Sequence, residues 1–304
     1  MFLGIMIFSI IVNLYYFNLT KDQPLWWDEA DYMAYAKNLA GFPVNWEVTS
    51  FHNTIFYYFG AFLFKLGFST AAAKFFLEFI PLNLLIFLTY KISTLMYEDK
   101  KIALISTFLM ATLWELLFNG MRFHLEVPAL FFAFMAIYIF FQGHEKKQKI
   151  FNKINHKWAI PLSVFFAVMT YATRRGYFLF GVMLFVYFAL TKDIRSMIKD
   201  KYNWIGLALF LVMILFIENF IFISSVSELS AYYNDKLPFS LISLDVFKAY
   251  FYNLNSAALS PLYYLFWIGI ILIASNIVIS IGHFKNIKNS DLRSDLFNFI
   301  MVFA

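Results

Sequence analysis

The chain has 304 residues, of which 62% are hydrophobic and only 14% charged, with a mean hydropathy of +0.68. Soluble domains carry about 25% charged residues, so the composition excludes a soluble globular protein and predicts an all-α, polytopic transmembrane helix bundle. There is no cysteine, which removes disulfides, thiolate metal sites and cysteine nucleophiles together. The net charge of +5 does not signal nucleic-acid binding, because membrane topology accounts for its distribution.

The first apolar run, 2–17, has no basic segment before it and no small-residue cleavage site after it, so it reads as a retained first span. A polar-aromatic loop, 18–70, follows. Within it Pro24 suits a helix start and Gly41 a C-terminal cap, and the pattern between them predicts a short amphipathic helix. Asp28, Asp31, Tyr32 and Tyr35 share one face of it. Trp26 and Trp27 are placed to anchor it at the headgroup level. Three carboxylates, Asp28, Glu29 and Asp31, beside a bilayer require partners. An N-cap role for Asp28 and a helix-dipole role for Asp31 account for two of them. Glu29 is left unexplained by that reading, whereas an active-site helix lying on the membrane surface uses all three.

Residues 51–67 form a short apolar segment that reads as a second surface-lying helix. Further spans are predicted at 71–96, 102–118, 127–142, 158–173, 177–190, 204–223 and 262–282, with a ninth beginning near 296. The expectation is one transmembrane domain over 1–304, continued by a further C-terminal part.

Loops 91–101, 143–157, 191–203 and 284–295 alternate with the rest and hold 15 of the 24 Lys and Arg against seven acids. The positive-inside rule puts these loops in the cytoplasm. Loop 18–70, the turns at 122–126 and 174–175 and the loop 224–261 then face outside. The charges that solubility does not require gather on that outer side. Lys74 and Glu78 stand at i and i+4, a spacing that allows a structural ion pair. Arg122, His124 and Glu126 share a tight turn before Pro128, where Glu126 also fits an ordinary helix-start acid and His124 an interfacial polar residue. Arg174 and Arg175 occupy another turn and also fit contacts to bulk lipid phosphates. Tyr57 and Tyr58 read as interfacial packing. Carboxylates and arginines converging on one face suit a site that takes a proton from an acceptor and holds an anionic lipid headgroup. No HxxxH, HExxH, GxGxxG, P-loop or GxSxG pattern is present, so the sequence calls for no metal and no nucleotide-derived cofactor.

In order along the chain, these motifs resemble the GT-C glycosyltransferases of the protein O-mannosyltransferase and bacterial aminoarabinose transferase branch. Asp28-Glu29-Ala30-Asp31-Tyr32 through Leu39-Ala40-Gly41 is similar to that family's first outer helix. Phe51-His52-Asn53-Thr54 keeps the His of a His-Pro-Pro-Leu segment without its prolines, and Ala72-Ala73-Lys74 stands where the family has Ala-Ala-Arg. Glu126-Val127-Pro128 resembles an Asp-x-Pro motif, and Ala172-Thr173-Arg174-Arg175 a Leu-Thr-Lys/Arg turn. The likeness runs over residues 1–190. It implies an inverting hexosyl- or pentosyltransferase of the plasma membrane, with its active site on the extracytoplasmic face. The donor would be a polyprenyl-phosphate-linked sugar, the acceptor a protein, lipid or glycan, and the surroundings membrane lipids. Asp28 would be the base, Glu29 would orient it or share its role, and Glu126 would be the second acid. Asp31, Tyr32, His52, Lys74, Arg122, His124, Arg174 and Arg175 would bind substrate. A transporter or lipid-linked glycan flippase, or a non-catalytic GT-C-like protein, is the alternative, and it predicts charges near the bilayer midplane.

The loop charges generate a topology prediction. Single cysteines introduced at Asn45 and Lys149 of this cysteine-free chain should react with an impermeant thiol reagent from opposite sides of the membrane. Labelling of both from one side would reject the arrangement.

Overall fold

A computed structural model describes residues 1–25, 28–44, 54–191 and 194–221. These fall in the first of two compact units, Met1–Ile223. Trp26, Trp27, His52, the loops 224–261 and 284–295, and the predicted spans 262–282 and from 296 lie outside the described residues.

Every regular element among the described residues is helical, apart from one bridge between Ile150 and Ile154. In chain order the helices are α1 (Phe2–Thr20), α2 (Asp28–Leu39), α3 (Ile55–Lys65), α4 (Thr70–Tyr97), α5 (Lys100–Thr112) and α6 (Trp114–Asn119). There follow α7 (Glu126–Glu145), α8 (Ala159–Thr173), α9 (Phe178–Thr191), α10 (Ile194–Lys199) and α11 (Lys201–Ile221). α1, α4, α7 and α11 are each long and apolar enough to cross a membrane. Together they make this an all-α membrane bundle. The predicted span 102–118 is divided. Leu113 is extended (φ −71°, ψ 112°) and separates α5 from α6. At the break the Thr112 hydroxyl bonds back to the Phe108 carbonyl at 3.0 Å.

Helix ends follow their local chemistry. Ser69 accepts from the Ala72 N–H at 3.2 Å to cap α4, and Asp99 accepts from the Lys101 N–H to open α5. Gly41 adopts φ +88°, and the Phe42 N–H donates to the Lys37 carbonyl at 3.1 Å, closing α2 with a Schellman-type bond.

α4 contains Pro81, which has no N–H to give to the preceding turn, and the helix widens into a π-turn at Phe75–Phe79 just before it. Asn83 donates its amide to the Phe79 carbonyl at 2.8 Å. Its oxygen in turn accepts from the fully buried Asn13 of α1 at 3.0 Å. This amide pair sets the register of α1 on α4 in a layer where apolar contacts alone carry little specificity.

Two packing layers position the charged groups of the bundle. The first joins α1, α4, α5, α6 and α7 around Phe17, Leu82, Leu85, Ile86, Leu117 and Val127. The second sits at one end of the bundle, where α2 and α3 pack on each other and on the start of α4. Its core is Met33, Ala36, Phe56, Tyr57, Phe64, Ala73, Phe123 and Leu125. α3 has 11 residues, and at 1.5 Å per residue its length of about 16 Å is half of what a span needs. It therefore covers the bundle end rather than crossing it. At the other end an ion pair between Glu98 and Lys146 ties the loop after α4 to the loop after α7, two loops that the charge pattern assigns to one side.

Gly60 is where α3, α2 and the turn before α7 meet. A Cβ there would lie 2.9 Å from the Phe123 ring and 3.0 Å from the Ala36 methyl. Gly60→Val should therefore lower stability by about 1–3 kcal/mol, read as an earlier loss of helical signal on denaturant titration in detergent. Gly4→Val, with nothing within 4 Å of its added Cβ, should stay within about 0.5 kcal/mol of the parent. Equal effects from the two would refute the close approach.

Candidate active site

The site is built on the turn from Met121 to Glu126, between α6 and α7. Its backbone is held by two glutamate side chains from elsewhere in the chain. The Phe123 N–H donates to Glu29 Oε1 at 3.1 Å, and the His124 N–H donates to Glu78 Oε1 at 2.9 Å. The Phe123 ring is fully buried and lies 4.7 Å from that of Phe56. Glu29 also forms an ion pair with Lys74, Nζ to Oε1 at 2.7 Å, and both side chains are about 97% buried or more. The spacing of Lys74 and Glu78 allowed them to pair with each other; instead Lys74 takes Glu29 and Glu78 takes the turn. Glu29, which no capping role explained, holds the turn to α2.

Held in this way, the turn presents His124 and Glu126 together. One Glu126 oxygen bonds the Arg174 guanidinium and the other faces His124 Nδ1 at 3.3 Å. The three side chains are partly exposed, 20% for Glu126, 17% for His124 and 39% for Arg174. α8 stops at Thr173 because Arg174 is extended (φ −147°, ψ 110°), and its guanidinium lies over the Tyr177 ring. Next to it, Arg175 approaches Glu218 of α11 at 3.9 Å, and Glu218 also accepts from the Tyr171 hydroxyl.

The acidic face of α2 closes the other flank. Tyr32 sets its ring edge-on to His124 (6.2 Å between centroids), with the exposed Asp28 carboxylate beside its hydroxyl. Beneath it the buried Tyr57 ring contacts Tyr32 at 5.5 Å and Tyr35 at 4.9 Å. Burial, then the Asp28 and Glu126 carboxylates, push the Tyr32 hydroxyl well above its ordinary pKa. Burial does the same to Tyr57, reinforced by Tyr32, Tyr35, Asp28 and Asp31. Both therefore stay protonated across the physiological range.

Of the residues expected in the site, Asp28, Tyr32, His124, Glu126 and Arg174 meet directly. Glu29 and Lys74 lie beneath them as an ion-paired support, and Asp31 adds charge near Tyr57. Arg175 stands at the neighbouring Glu218 pair. Arg122 lies over the Phe118 ring at 4.3 Å. Glu78 and Tyr57 emerge with defined roles. The Lys74–Glu78 spacing pointed to the first, but the pairing of α3 with α2 that reveals the second leaves no mark in local sequence. Among the described residues no cluster of three or more metal-ligating side chains forms.

A family model described as dolichyl-phosphate-mannose-protein mannosyltransferase matches residues 52–219. The match covers more than half of the chain, which belongs to that family and is a membrane glycosyltransferase of the GT-C type. No curated protein and no solved structure matches the chain. The matched segment contains Lys74, Glu78, the 121–126 turn, Arg174, Arg175 and Glu218, whereas α2 with Asp28, Glu29 and Tyr32 precedes it.

The buried ion pair generates a stability prediction. Lys74→Met leaves the Glu29 carboxylate buried without its ammonium and should cost about 3–5 kcal/mol. Adding Glu29→Gln, whose amide oxygen still accepts from Phe123, should restore most of that loss. A double variant no more stable than Lys74→Met, measured by denaturant midpoint in detergent, would show that the pair is not the source.

Proposed function

We propose that this protein moves a sugar from a polyprenyl-phosphate donor to an acceptor on the extracytoplasmic face of the plasma membrane, with inversion at the anomeric carbon. The observation that carries this reading is the meeting of Asp28 and Tyr32 with His124, Glu126 and Arg174 at one end of the bundle, in a chain of this family. Asp28 is the accessible carboxylate of the group and is assigned as the general base. It takes the proton of an acceptor hydroxyl or amine. The freed oxygen or nitrogen lone pair attacks the anomeric carbon from the side opposite the phosphate. The bond between that carbon and the phosphate oxygen breaks, and its electron pair leaves with the lipid phosphate.

Charge grows on the departing phosphate, and fixed cations help most there. Arg174 is assigned to that task, supported by Arg175. Before donor binds, Glu126, whose other oxygen faces His124, holds the Arg174 guanidinium in position; the phosphate then competes with Glu126 for it. Tyr32 keeps its hydroxyl proton and orients Asp28. Glu29, being buried, acts on Asp28 and the turn through position rather than by proton transfer, and Lys74 fixes Glu29. His52 is retained from the family resemblance as a substrate contact. The acceptor class, protein, lipid or glycan, is set by what docks beside Asp28.

The test is sugar transfer from a polyprenyl-phosphate donor by purified variants. Asn has the size and shape of Asp, and Asp28 is exposed, so Asp28→Asn should fold and bind donor normally while turnover falls about 10²–10⁴-fold. Arg174→Gln should instead weaken donor binding by about tenfold or more, as expected for one lost charge-assisted phosphate contact. Near-normal turnover in Asp28→Asn would remove α2 from the chemistry.

A further inference from the structure

The opposite end of the bundle carries a feature that sugar transfer does not use. α7 finishes in a π-turn at Phe140–Glu145, and the chain returns through the Ile150–Ile154 bridge to a short 3₁₀ turn, His156–Trp158, that leads into α8. α10 and α11 meet at Lys199, Asp200 and Lys201. These separate segments line one cavity of about 340 Å³. Four lysines, Lys147, Lys157, Lys199 and Lys201, surround it, with His144 and His156 half-buried among them. The carboxylate in the lining, Asp200, already accepts from the Tyr202 N–H at 3.0 Å as the cap of α11. Among the described residues no carboxylate pairs with Lys157, Lys199 or Lys201.

The positive-inside rule sets which side of a membrane lysines occupy, but it does not make lysines from two loops converge on one cavity. Lys149 and Lys153 obey the same rule on the same loop, are as exposed as the lysines of the lining and yet stand outside the cavity, and Lys146 is paired with Glu98. Lysines from separate segments that line one cavity offer an anion several charge-assisted donors at once. α8 and α11 also begin here, adding the positive ends of two helix dipoles. The depth is marked by aromatic side chains. The Trp158 ring meets Tyr202 edge-on at 5.5 Å, and Trp204 is exposed while its indole N–H donates to the Ile198 carbonyl. Exposed tryptophans with a bonded polar edge sit at the headgroup level.

We propose that this cavity binds the phosphate group of an anionic ligand at the depth of the phospholipid headgroups, at a site separate from that of sugar transfer. Basic pockets between transmembrane helices bind anionic headgroups through the same contacts.

The test uses the full chain in detergent and follows its thermal midpoint. Phosphatidylglycerol added to phosphatidylcholine micelles should raise the midpoint. In Lys157→Gln/Lys199→Gln the concentration giving half of that rise should increase about fivefold for each lysine removed. Lys149→Gln/Lys153→Gln removes the same charge outside the cavity and should leave it unchanged. Inorganic pyrophosphate separates the two sources of the phosphate. A rise that depends on Lys157 and Lys199 with both probes assigns the cavity to phosphate in general, and with the lipid alone to headgroups. The proposal is overturned if neither probe raises the midpoint, or if both double variants lose the rise equally.

Discussion

The ion pair between Glu29 and Lys74 is the contact on which the site-bearing end of the bundle depends. α2 is a 12-residue helix that buries only Glu29, Met33 and Ala36, and a helix of that length is marginal in isolation. Its place is set from outside, by α3 on one side and by Lys74 on the other. A buried pair of this kind adds little net stability over an apolar replacement. What it supplies is position: one Glu29 oxygen serves both the ammonium of α4 and the backbone of the turn before α7. Three parts of the chain that are distant in sequence thereby meet at one atom. Glu78 takes the next N–H of the same turn, so the backbone that carries His124 cannot drift without breaking a buried hydrogen bond.

Hydropathy alone located most of the bundle. Apolar runs placed α1, α4, α7, α8 and α11, and proline and glycine bracketed α2, because burial and chain stiffness are local properties of sequence. The division at Leu113 was not legible, since an apolar run reads the same with or without a bend. Lys74 and Glu78 show the limit more sharply. Spacing states which groups can reach each other on a regular helix. α4 is not regular over this stretch, since Phe75–Phe79 forms a π-turn, and each of the two side chains takes a partner from elsewhere in the chain. Pro81 was the visible sign of that irregularity.

The candidate site was legible as a list of charges but not as an arrangement. Asp28, Glu126 and Arg174 stood out because a membrane protein has few charges and these fell at one predicted side. Burial, which separates Glu29 from Asp28 although they are adjacent, is a tertiary property. One faces the core and the other solvent only because α2 lies with Met33 and Ala36 against α3. The same holds for Tyr57, an ordinary interfacial aromatic by sequence and the floor beneath Tyr32 and Tyr35 by packing.

Two departures from the motifs that the sequence resembles take on physical meaning in this arrangement. Where the related pattern has aspartate, Glu126 adds one methylene, and its two oxygens span His124 on one side and Arg174 on the other. Where the pattern has arginine, Lys74 offers a compact point charge in place of a planar fork. A fork would engage both oxygens of Glu29, whereas the ammonium shares the single oxygen Oε1 with the Phe123 N–H. At both positions the residue present suits the partner found beside it. The departures therefore preserve the charge relations of the site while changing which atoms carry them.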